Sequence, residues 1–231
     1  MEKEELQKRM YEIKIQLHEL RYKESEGIKS VIQENFDKAN KEFEETEKRG
    51  SLYPLFTKLM RRGDRLTAYL FILSTWNFAG FRYLIGNFDI NKFNENIDEL
   101  EQLFNEFGEK HLRTIKFEEY KEKIIKIYDT LSKQVKSVGA TKIMHLRVPE
   151  VFVLWDRRIR EYYGFRSDSA ENYIEFLKKM QEKFKDIKLE KNDRSFAKAI
   201  DEYNYTRITQ PMMNLEKELT TLKKRIDKLK I

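Results

Sequence analysis

Apolar residues recur at helical spacing along most of the chain, and the width of the apolar stripe changes with position. From residue 2 to about 26, and again over residues 211–231, they form a narrow seam with alternating spacings of four and three, which is typical of coiled-coil helices. Between these ends the stripes are wider, which predicts helices that pack on a globular core. The seam residues are Leu6, Met10, Ile13, Leu17 and Leu20 in the first segment and Leu215, Leu219, Leu222, Ile226 and Leu229 in the last.

The pattern divides the chain into an N-terminal helical arm over residues 1–49, a helical body over residues 50–210 and a C-terminal helix over residues 211–231. Pro211 is expected to open the last helix, because the first helical turn tolerates proline. Isolated helices of this length are only marginally stable in water, so each terminal helix needs a partner. We expect the two ends to form an antiparallel coiled coil within one chain; a coiled-coil homodimer or a protein partner is the alternative.

In the body, the most apolar helix is predicted to begin after Asp64, whose side chain can accept hydrogen bonds from the first backbone N–H groups of the helix. Residues 66–73 are almost all apolar, which predicts a position at the centre of the core. Trp76 and Asn77 follow at the end of this helix, where they are suited to line a pocket. Further apolar stripes predict helices over residues 93–107, 117–135 and 196–205. Together these elements indicate an all-α fold.

Composition agrees with a helical protein and removes several kinds of site. The 231 residues include eight glycines and three prolines, which favours helices over turn-rich β structure. Cysteine is absent, so a disulfide framework, a thiolate zinc site and a cysteine-bound iron–sulfur cluster are excluded. His18, His111 and His145 are far apart in the sequence and no nucleotide-binding motif is present, so we expect neither a metal site nor a cofactor.

The sequence offers no sign of membrane insertion. No apolar run approaches the ~20 residues that a membrane-spanning helix needs, and the chain is charged from Glu2 onward. The pattern therefore predicts neither a transmembrane helix nor a signal peptide. A cytoplasmic protein that does not bind membranes is the expectation.

Positive charge is concentrated in two places. The net charge is +6 and the isoelectric point is about 9.1. Localised positive charge suits a polyanionic partner, and a solvated, lysine-rich surface is the alternative interpretation. The two clusters are Lys58, Arg61, Arg62 and Arg65, and Arg157, Arg158 and Arg160.

The stretch from residue 137 to 165 has the most specific pattern in the chain. A turn is predicted at Ser137-Val138-Gly139, followed by the short apolar run 143–146 and a loop at Pro149. A second apolar run, residues 151–155, leads to Asp156. This aspartate is expected to open a helix rich in arginine and tyrosine that Gly164 closes.

This order of parts resembles the helix-hairpin-helix DNA glycosylase superfamily, and the resemblance covers about residues 54–165. The hairpin would be Val138-Gly139-Ala140-Thr141-Lys142, preceded by the pocket-lining helix that ends at Asn77 and followed by the Asp156 helix. Three departures indicate a divergent member. Ser137 stands where the family usually has a glycine, Lys142 lies farther from the hairpin glycine than the catalytic lysine usually does, and the 156 − 142 = 14 positions from Lys142 to Asp156 are fewer than is usual.

The resemblance implies a DNA repair enzyme, a hydrolase that binds double-stranded DNA and removes a damaged base. Backbone N–H groups of the hairpin residues Val138, Gly139, Ala140 and Thr141 would bind phosphate, with Arg157 and Arg158 as further DNA contacts. The damaged base would be flipped into a pocket beside Trp76 and Asn77. Asp156 would stabilise positive charge on the sugar, and Lys142 would be the nucleophile that forms a Schiff base.

Each of these residues also has a structural interpretation. Asp156 immediately precedes a helix, so an N-terminal cap explains it equally well. Lys142 can be a solvated or phosphate-binding lysine, and His145 lies inside an apolar run, as a hydrogen-bonded core residue does. The alternative function is therefore a non-catalytic protein on the same fold that binds nucleic acid, or a scaffold that binds protein through its coiled coil. Asp156 and Lys142 opening into one basic pocket with Trp76 would favour an enzyme.

Overall fold

The computed structural model describes residues 2–24, 29–189 and 194–229, without the side chain of Glu2. Throughout these residues the regular secondary structure is helical and no strand is formed, which confirms the all-α prediction. The expected end of the first helix near residue 26 lies outside the described residues. What is described of that helix ends at Leu20.

The helix bounds follow the apolar stripes closely. In the described residues the α-helices are α1 (Glu2–Leu20), α2 (Gln33–Thr46), α3 (Tyr53–Arg61), α4 (Arg65–Trp76), α5 (Phe78–Leu84), α6 (Ile90–Asn105), α7 (Phe117–Arg147), α8 (Arg157–Tyr162), α9 (Ala170–Lys183), α10 (Phe196–Asn204) and α11 (Gln210–Lys228). Two short 3₁₀ helices, Lys48–Leu52 and Ile85–Asn87, and a π-helical segment, Tyr205–Thr209, complete them. Asp64 stands at the predicted cap position of α4, but its side chain accepts no capping hydrogen bond.

The long helix α7 lies at the centre of the body and contacts α3, α4, α5, α6 and α9. Its first half buries one stripe, which includes Ile124, Tyr128 and Leu131. In its second half every residue from 139 to 146 is buried. A helix buried on all sides must satisfy its polar side chains inside the protein, and this requirement shapes the candidate site described below.

The helix breaks at Lys136, whose φ of 61° and ψ of 169° are not helical. The turn predicted at Ser137-Val138-Gly139 is therefore misplaced, because the reversal occurs at the residue before it. Gly139 lies inside the second helical segment and has no positive φ. A Cβ atom there would approach Leu73 Cδ2 of α4 to 3.1 Å and Val135 Cβ to 2.9 Å, so glycine is needed for close packing and not for a turn.

Residues 196–228 form one continuous helical segment. The π-helical segment joins α10 directly to α11, and the residues at both junctions keep helical backbone angles. Pro211 stands in the first turn of α11 as predicted, and the helix continues across the boundary predicted between residues 210 and 211. Proline has no N–H and clashes with the carbonyl four residues earlier. A wide π turn just before it lets the chain accommodate the proline without ending the helix.

The predicted N-terminal arm divides into two parts with different surroundings. The side chains of Phe36 and Phe43 in α2 are buried, and α2 contacts α10 and the π segment. Phe36 meets the rings of Phe184 and Tyr203 with centroid distances of 5.8 Å. Helix α2, which the sequence prediction placed in the arm of residues 1–49, therefore packs against helices of the predicted body.

The first and last helices contact each other within the chain. Arg9 Nε lies 2.8 Å from Glu218 Oε1, and Ile13 and Leu17 of the predicted seam are buried, as are Leu222 and Ile226 of its partner. The C-terminal end of α1 reaches α8, where the backbone N–H of Tyr22 donates to the Glu161 carbonyl at 2.8 Å.

Replacing Lys136 with glycine should stabilise the protein. The observed φ and ψ belong to a region that is nearly exclusive to glycine and costs other residues ~1–3 kcal/mol. After the larger entropy loss of glycine on folding, we expect a gain of about 1 kcal/mol in the free energy of unfolding. Urea denaturation of Lys136→Gly measures it. The matched control is Lys133→Gly in the regular part of α7, which should lose about 1 kcal/mol. Equal losses in both variants would contradict the strained backbone.

Candidate active site

Lys142 lies in the buried half of α7 with only 8% of its surface exposed. Burial lowers the pKa of its amine, although the carboxylates of Asp201 and Asp156 are close enough to act in the opposite direction. No residue that the structure describes forms a hydrogen bond or an ion pair with this amine. Lys142 is thus a buried cation without a direct partner, and its neutral form is favoured relative to an ordinary lysine.

Asp156 is the N-terminal cap of α8, and both carboxylate oxygens are engaged. Oδ1 accepts hydrogen bonds from the backbone N–H groups of Arg158 at 2.8 Å and Ile159 at 2.9 Å. Oδ2 accepts from the Thr209 hydroxyl at 2.9 Å. Asp156 therefore caps α8, which is the structural role that the sequence offered for it. The fold nevertheless brings the carboxylate within electrostatic range of Lys142.

The π-helical segment places Thr209 beside Asp156. Thr209 is the last residue of that segment and is 2% exposed. A π turn inserts an extra residue into a helix and changes the direction of the side chains that follow, and such turns are frequent at functional sites. Here the π turn follows α10, which carries Asp201, and its last residue, Thr209, contacts Asp156 at the start of α8. The turn therefore connects Asp201 with Asp156, the two carboxylates that act on Lys142.

A second buried lysine, Lys198 of α10, lies within a cage of three aromatic rings. Its Nζ atom is 4.6 Å from the ring centroid of Trp76, 4.9 Å from that of Phe43 and 5.3 Å from that of Tyr53. Ring faces attract cations more strongly when water is excluded. The cage therefore stabilises the charged form of this amine, and Trp76 forms one wall of it.

Lys198 differs from Lys142 because it has anionic partners. Its Nζ lies 2.8 Å from Asp201 Oδ2 and 3.4 Å from Glu202 Oε1. Burial lowers the pKa of Lys198, but the two carboxylates outweigh burial and the net shift is upward. Glu202 also pairs with Arg194. The two buried lysines therefore differ. Lys198 is paired and its charged form is stabilised, whereas Lys142 is unpaired and its charged form is destabilised.

His145 is a structural residue of this cluster. Its Nδ1 lies 2.6 Å from the Phe152 carbonyl oxygen, which can only accept, so Nδ1 carries the proton. Nε2 then accepts from the Tyr53 hydroxyl at 2.9 Å. Burial lowers the pKa of His145 to about 4, so the ring is neutral at physiological pH. This arrangement agrees with the expectation of a hydrogen-bonded core histidine.

Of the two residues predicted to line a base pocket, Trp76 lies at the cluster and Asn77 ends α4. The Trp76 ring stacks on Tyr53 with a centroid distance of 5.9 Å and an interplanar angle of 12°. Its Nε1 donates to the Arg49 carbonyl at 3.2 Å, so the 3₁₀ helix Lys48–Leu52 lies against the indole. Asn77 is the C-terminal cap residue of α4, and its side chain faces Gly80. Asn77 contributes no contact to the cluster around Lys142 among the described residues.

The residues predicted to bind phosphate are turned into the protein. Gly139, Ala140 and Thr141 are buried, and Val138 is half-buried. These residues lie in the second half of α7, inside the helix. The Thr141 hydroxyl donates a hydrogen bond to the Val138 carbonyl at 3.2 Å. The predicted phosphate contacts of this segment are not available in this conformation, because the sequence analysis placed a surface turn where the chain forms a core helix.

The two arginines predicted to contact DNA form ion pairs with the C-terminal helix. Arg158 Nε lies 3.1 Å from Glu216 Oε2, and Arg157 Nη2 lies 2.9 Å from Glu216 Oε1. Arg157 also lies 3.4 Å from Glu161 Oε1. These ion pairs join α8 to α11, so their guanidinium groups serve the fold here. Sequence spacing alone could not find Glu216, which is 58 positions from Arg158.

Sequence analysis missed the Lys198 cluster, although the sequence carried a signal. Lys198, Asp201 and Glu202 have i, i+3 and i+4 spacing inside a strongly apolar helix. A charged triplet on the buried face of a core helix is unusual, because buried charges require partners. Apolar periodicity alone identifies α10 as a core helix and does not distinguish a buried charged triplet from a solvated one.

Comparisons with known proteins do not identify the chain: no protein-family model, no curated protein and no solved structure matches it. Among the described residues there is no group of three or more His, Asp or Glu side chains arranged to hold a metal ion. No helix in those residues is both long and apolar enough to cross a membrane.

The two buried lysines should respond oppositely to replacement by methionine. Lys142→Met removes an unpaired buried cation, so we expect a gain on the order of 1 kcal/mol in the free energy of unfolding at pH 7. The folded-state pKa lies below the ordinary value of 10.5, so this gain should shrink as the pH rises towards 10.5. Lys198→Met removes the ion-pair partner of Asp201 and leaves Glu202 paired with Arg194 alone, so it should cost ~3–5 kcal/mol.

Urea denaturation at several pH values measures both effects. The two changes have the same chemistry and both sites are buried, so each variant is the control for the other. A loss of stability in Lys142→Met at pH 7 would contradict the description of Lys142 as an unpaired cation.

Proposed function

We propose that this protein binds double-stranded DNA and removes a damaged base, as a divergent member of the helix-hairpin-helix DNA glycosylase superfamily. The observation that supports the proposal is the amine of Lys142, which is buried, unpaired and close to the carboxylates of Asp156 and Asp201. A lysine nucleophile must be neutral to react, and desolvation is a common way to lower its pKa. The break at Lys136 between two helical segments also suits a helix-hairpin-helix unit.

In the proposed reaction the neutral amine of Lys142 attacks C1′ of the damaged nucleoside. The glycosidic C–N bond breaks with its electron pair, and the base leaves after taking up a proton. Positive charge develops on the sugar as this bond weakens, and the Asp156 carboxylate stabilises it. The nitrogen lone pair of Lys142 then forms the C=N bond as the C1′–O4′ bond breaks, and the proton lost by this nitrogen goes to O4′. The sugar ring opens, which gives a Schiff base between Lys142 and C1′. This chemistry needs no metal ion and no cofactor.

Access to Lys142 requires a movement of the chain, because the amine is nearly enclosed. The target base must also leave the stack, as in other enzymes that act on a base within a duplex. The 3₁₀ helix Lys48–Leu52 covers Trp76 through a single hydrogen bond. We propose that this segment is displaced when a flipped base enters and that the base then stacks on Trp76.

Borohydride trapping on a duplex with an abasic site tests the nucleophile. We expect wild-type protein to form a covalent adduct at neutral pH, because the lowered pKa of Lys142 leaves more neutral amine than an ordinary lysine would have. Lys142→Met should abolish the adduct. Lys133→Met, an exposed lysine of the same helix, should leave it unchanged. An adduct of undiminished yield in Lys142→Met would assign the reaction to a different amine.

Asp156→Asn tests the carboxylate on a panel of duplexes carrying damaged or mismatched bases. Asparagine keeps an oxygen for the α8 cap, so the fold should persist while the rate of base release falls by roughly 10²–10³-fold. Asp89→Asn is the matched control, since Asp89 caps α6 in the same way through Oδ1. Equal rates in both variants would leave Asp156 with its capping role alone.

A non-catalytic protein on the same fold is the second candidate function. It is favoured by the hydrogen bonds that occupy both oxygens of Asp156 and by the ion pairs of Arg157 and Arg158. Such a protein would bind nucleic acid without any adduct or base release, or bind another protein through its terminal helices. The trapping experiment separates the two candidates, because only the enzyme forms an adduct.

We further propose that α1 and α11 form an antiparallel coiled coil within one chain. The buried seam residues and the Arg9–Glu218 ion pair support the pairing. Sedimentation equilibrium should therefore give a monomer mass that does not change with concentration. Arg9→Glu should lower the melting temperature without changing this mass, since it opposes Glu218 within the same molecule. A mass that rises to that of a dimer would favour pairing between chains.

A further inference from the structure

We propose that the end of α3 binds the phosphate backbone of duplex DNA through Lys58, Arg61 and Arg62, which we call the α3 basic face. The proposal rests on the function proposed above and assigns its DNA contact to a surface other than the predicted hairpin. The hairpin residues are buried and Arg157 and Arg158 are paired. A protein that binds DNA therefore needs cations elsewhere.

The three cations of the α3 basic face are exposed, and none forms an ion pair or a side-chain hydrogen bond with the residues that the structure describes. Positions 58, 61 and 62 have i, i+3 and i+4 spacing, which places the side chains on one side of the helix. Side chains so arranged can reach successive phosphates along one strand.

Their freedom contrasts with the use of arginine elsewhere. Arg147 and Arg65 both pair with Glu101, at 2.5 Å and 2.6 Å, and Arg194 pairs with Glu44 at 3.0 Å. Cations in the last turn of a helix do interact favourably with the helix dipole. That effect accounts for a preference for positive charge at the end of α3, but it supplies no partner for three side chains.

A cleft next to the α3 basic face adds to the positive surface. Its volume is about 530 Å³, and Arg61, Arg65 and Arg147 are among the residues that line it. Glu101 is the acidic residue among them, so the lining includes three guanidinium groups and one carboxylate. A concave surface with excess positive charge concentrates anions.

The position of the α3 basic face suits a backbone contact near Lys142. Tyr53, at the start of α3, contacts the buried cluster through His145 and Lys198. Arg61 is eight residues farther along the helix, about 12 Å at 1.5 Å per residue. This distance corresponds to roughly four base steps at 3.4 Å each. DNA that places a base at Lys142 can therefore extend its backbone to the α3 basic face.

The test is the salt dependence of binding to an undamaged duplex of about 25 base pairs. In the triple variant Lys58→Gln, Arg61→Gln, Arg62→Gln, the slope of log K against log salt concentration should fall by about 3. Affinity at 0.1 M salt should fall roughly tenfold or more. A matched variant removes the same charge from exposed positions of α11, namely Lys217→Gln, Lys223→Gln and Lys224→Gln. It should change the slope by less than about 1.

Two outcomes would overturn the assignment: equal losses in both triple variants, or a wild-type affinity that does not depend on salt. Borohydride trapping of the wild-type protein separates this inference from the proposed enzyme activity. If trapping fails but the difference between the triple variants holds, the α3 basic face stands and the excision chemistry does not.

Discussion

The burial of residues 139–146 of α7 is the constraint on which the rest of the structure depends. Gly139 allows α4 to approach, and the apolar residues of this segment fill the centre of the body. Lys142 and His145 lie in the same segment, so their polar groups had to be accommodated inside the protein. His145 is satisfied by Tyr53 and the Phe152 carbonyl. Lys142 receives only the longer-range attraction of two carboxylates, and this difference makes it the reactive candidate.

The cluster around Lys142 depends on elements that are distant in the sequence. Helix α10 contributes Lys198 and Asp201, α4 contributes Trp76, and the π segment brings Thr209 to Asp156. The two amines repel each other. Asp201 and Glu202 pair with Lys198 and keep it charged, whereas Lys142 has no direct partner among the described residues. Pro211 contributes indirectly, since the π turn that accommodates it also directs Thr209 towards α8.

Much of the fold followed from apolar periodicity. The stripes predicted α6, the first half of α7 and α10 within a few residues, because each buries one face or most of its surface. Some local signals have two physical meanings. Gly139 suggested a turn and serves close packing, which corrects that prediction. Arg157 and Arg158 suggested a DNA surface and are paired with Glu216, and a DNA contact of these residues stays a prediction. Glycine and arginine have the same sequence signature in either role, and only their neighbours distinguish them.

The sequence by itself determined the all-α class, the approximate bounds of α6, the first half of α7 and α10, and the apolar seams of the terminal helices. These depend on local spacing, which a single chain records directly. Only the tertiary structure decided which charges are paired. Lys142 and Lys198 are both lysines in apolar helices, yet one has two carboxylates within 3.5 Å and the other has none. Pairing depends on distances between residues far apart in the chain, so the candidate site emerged only when α4, α7, α8 and α10 were brought together.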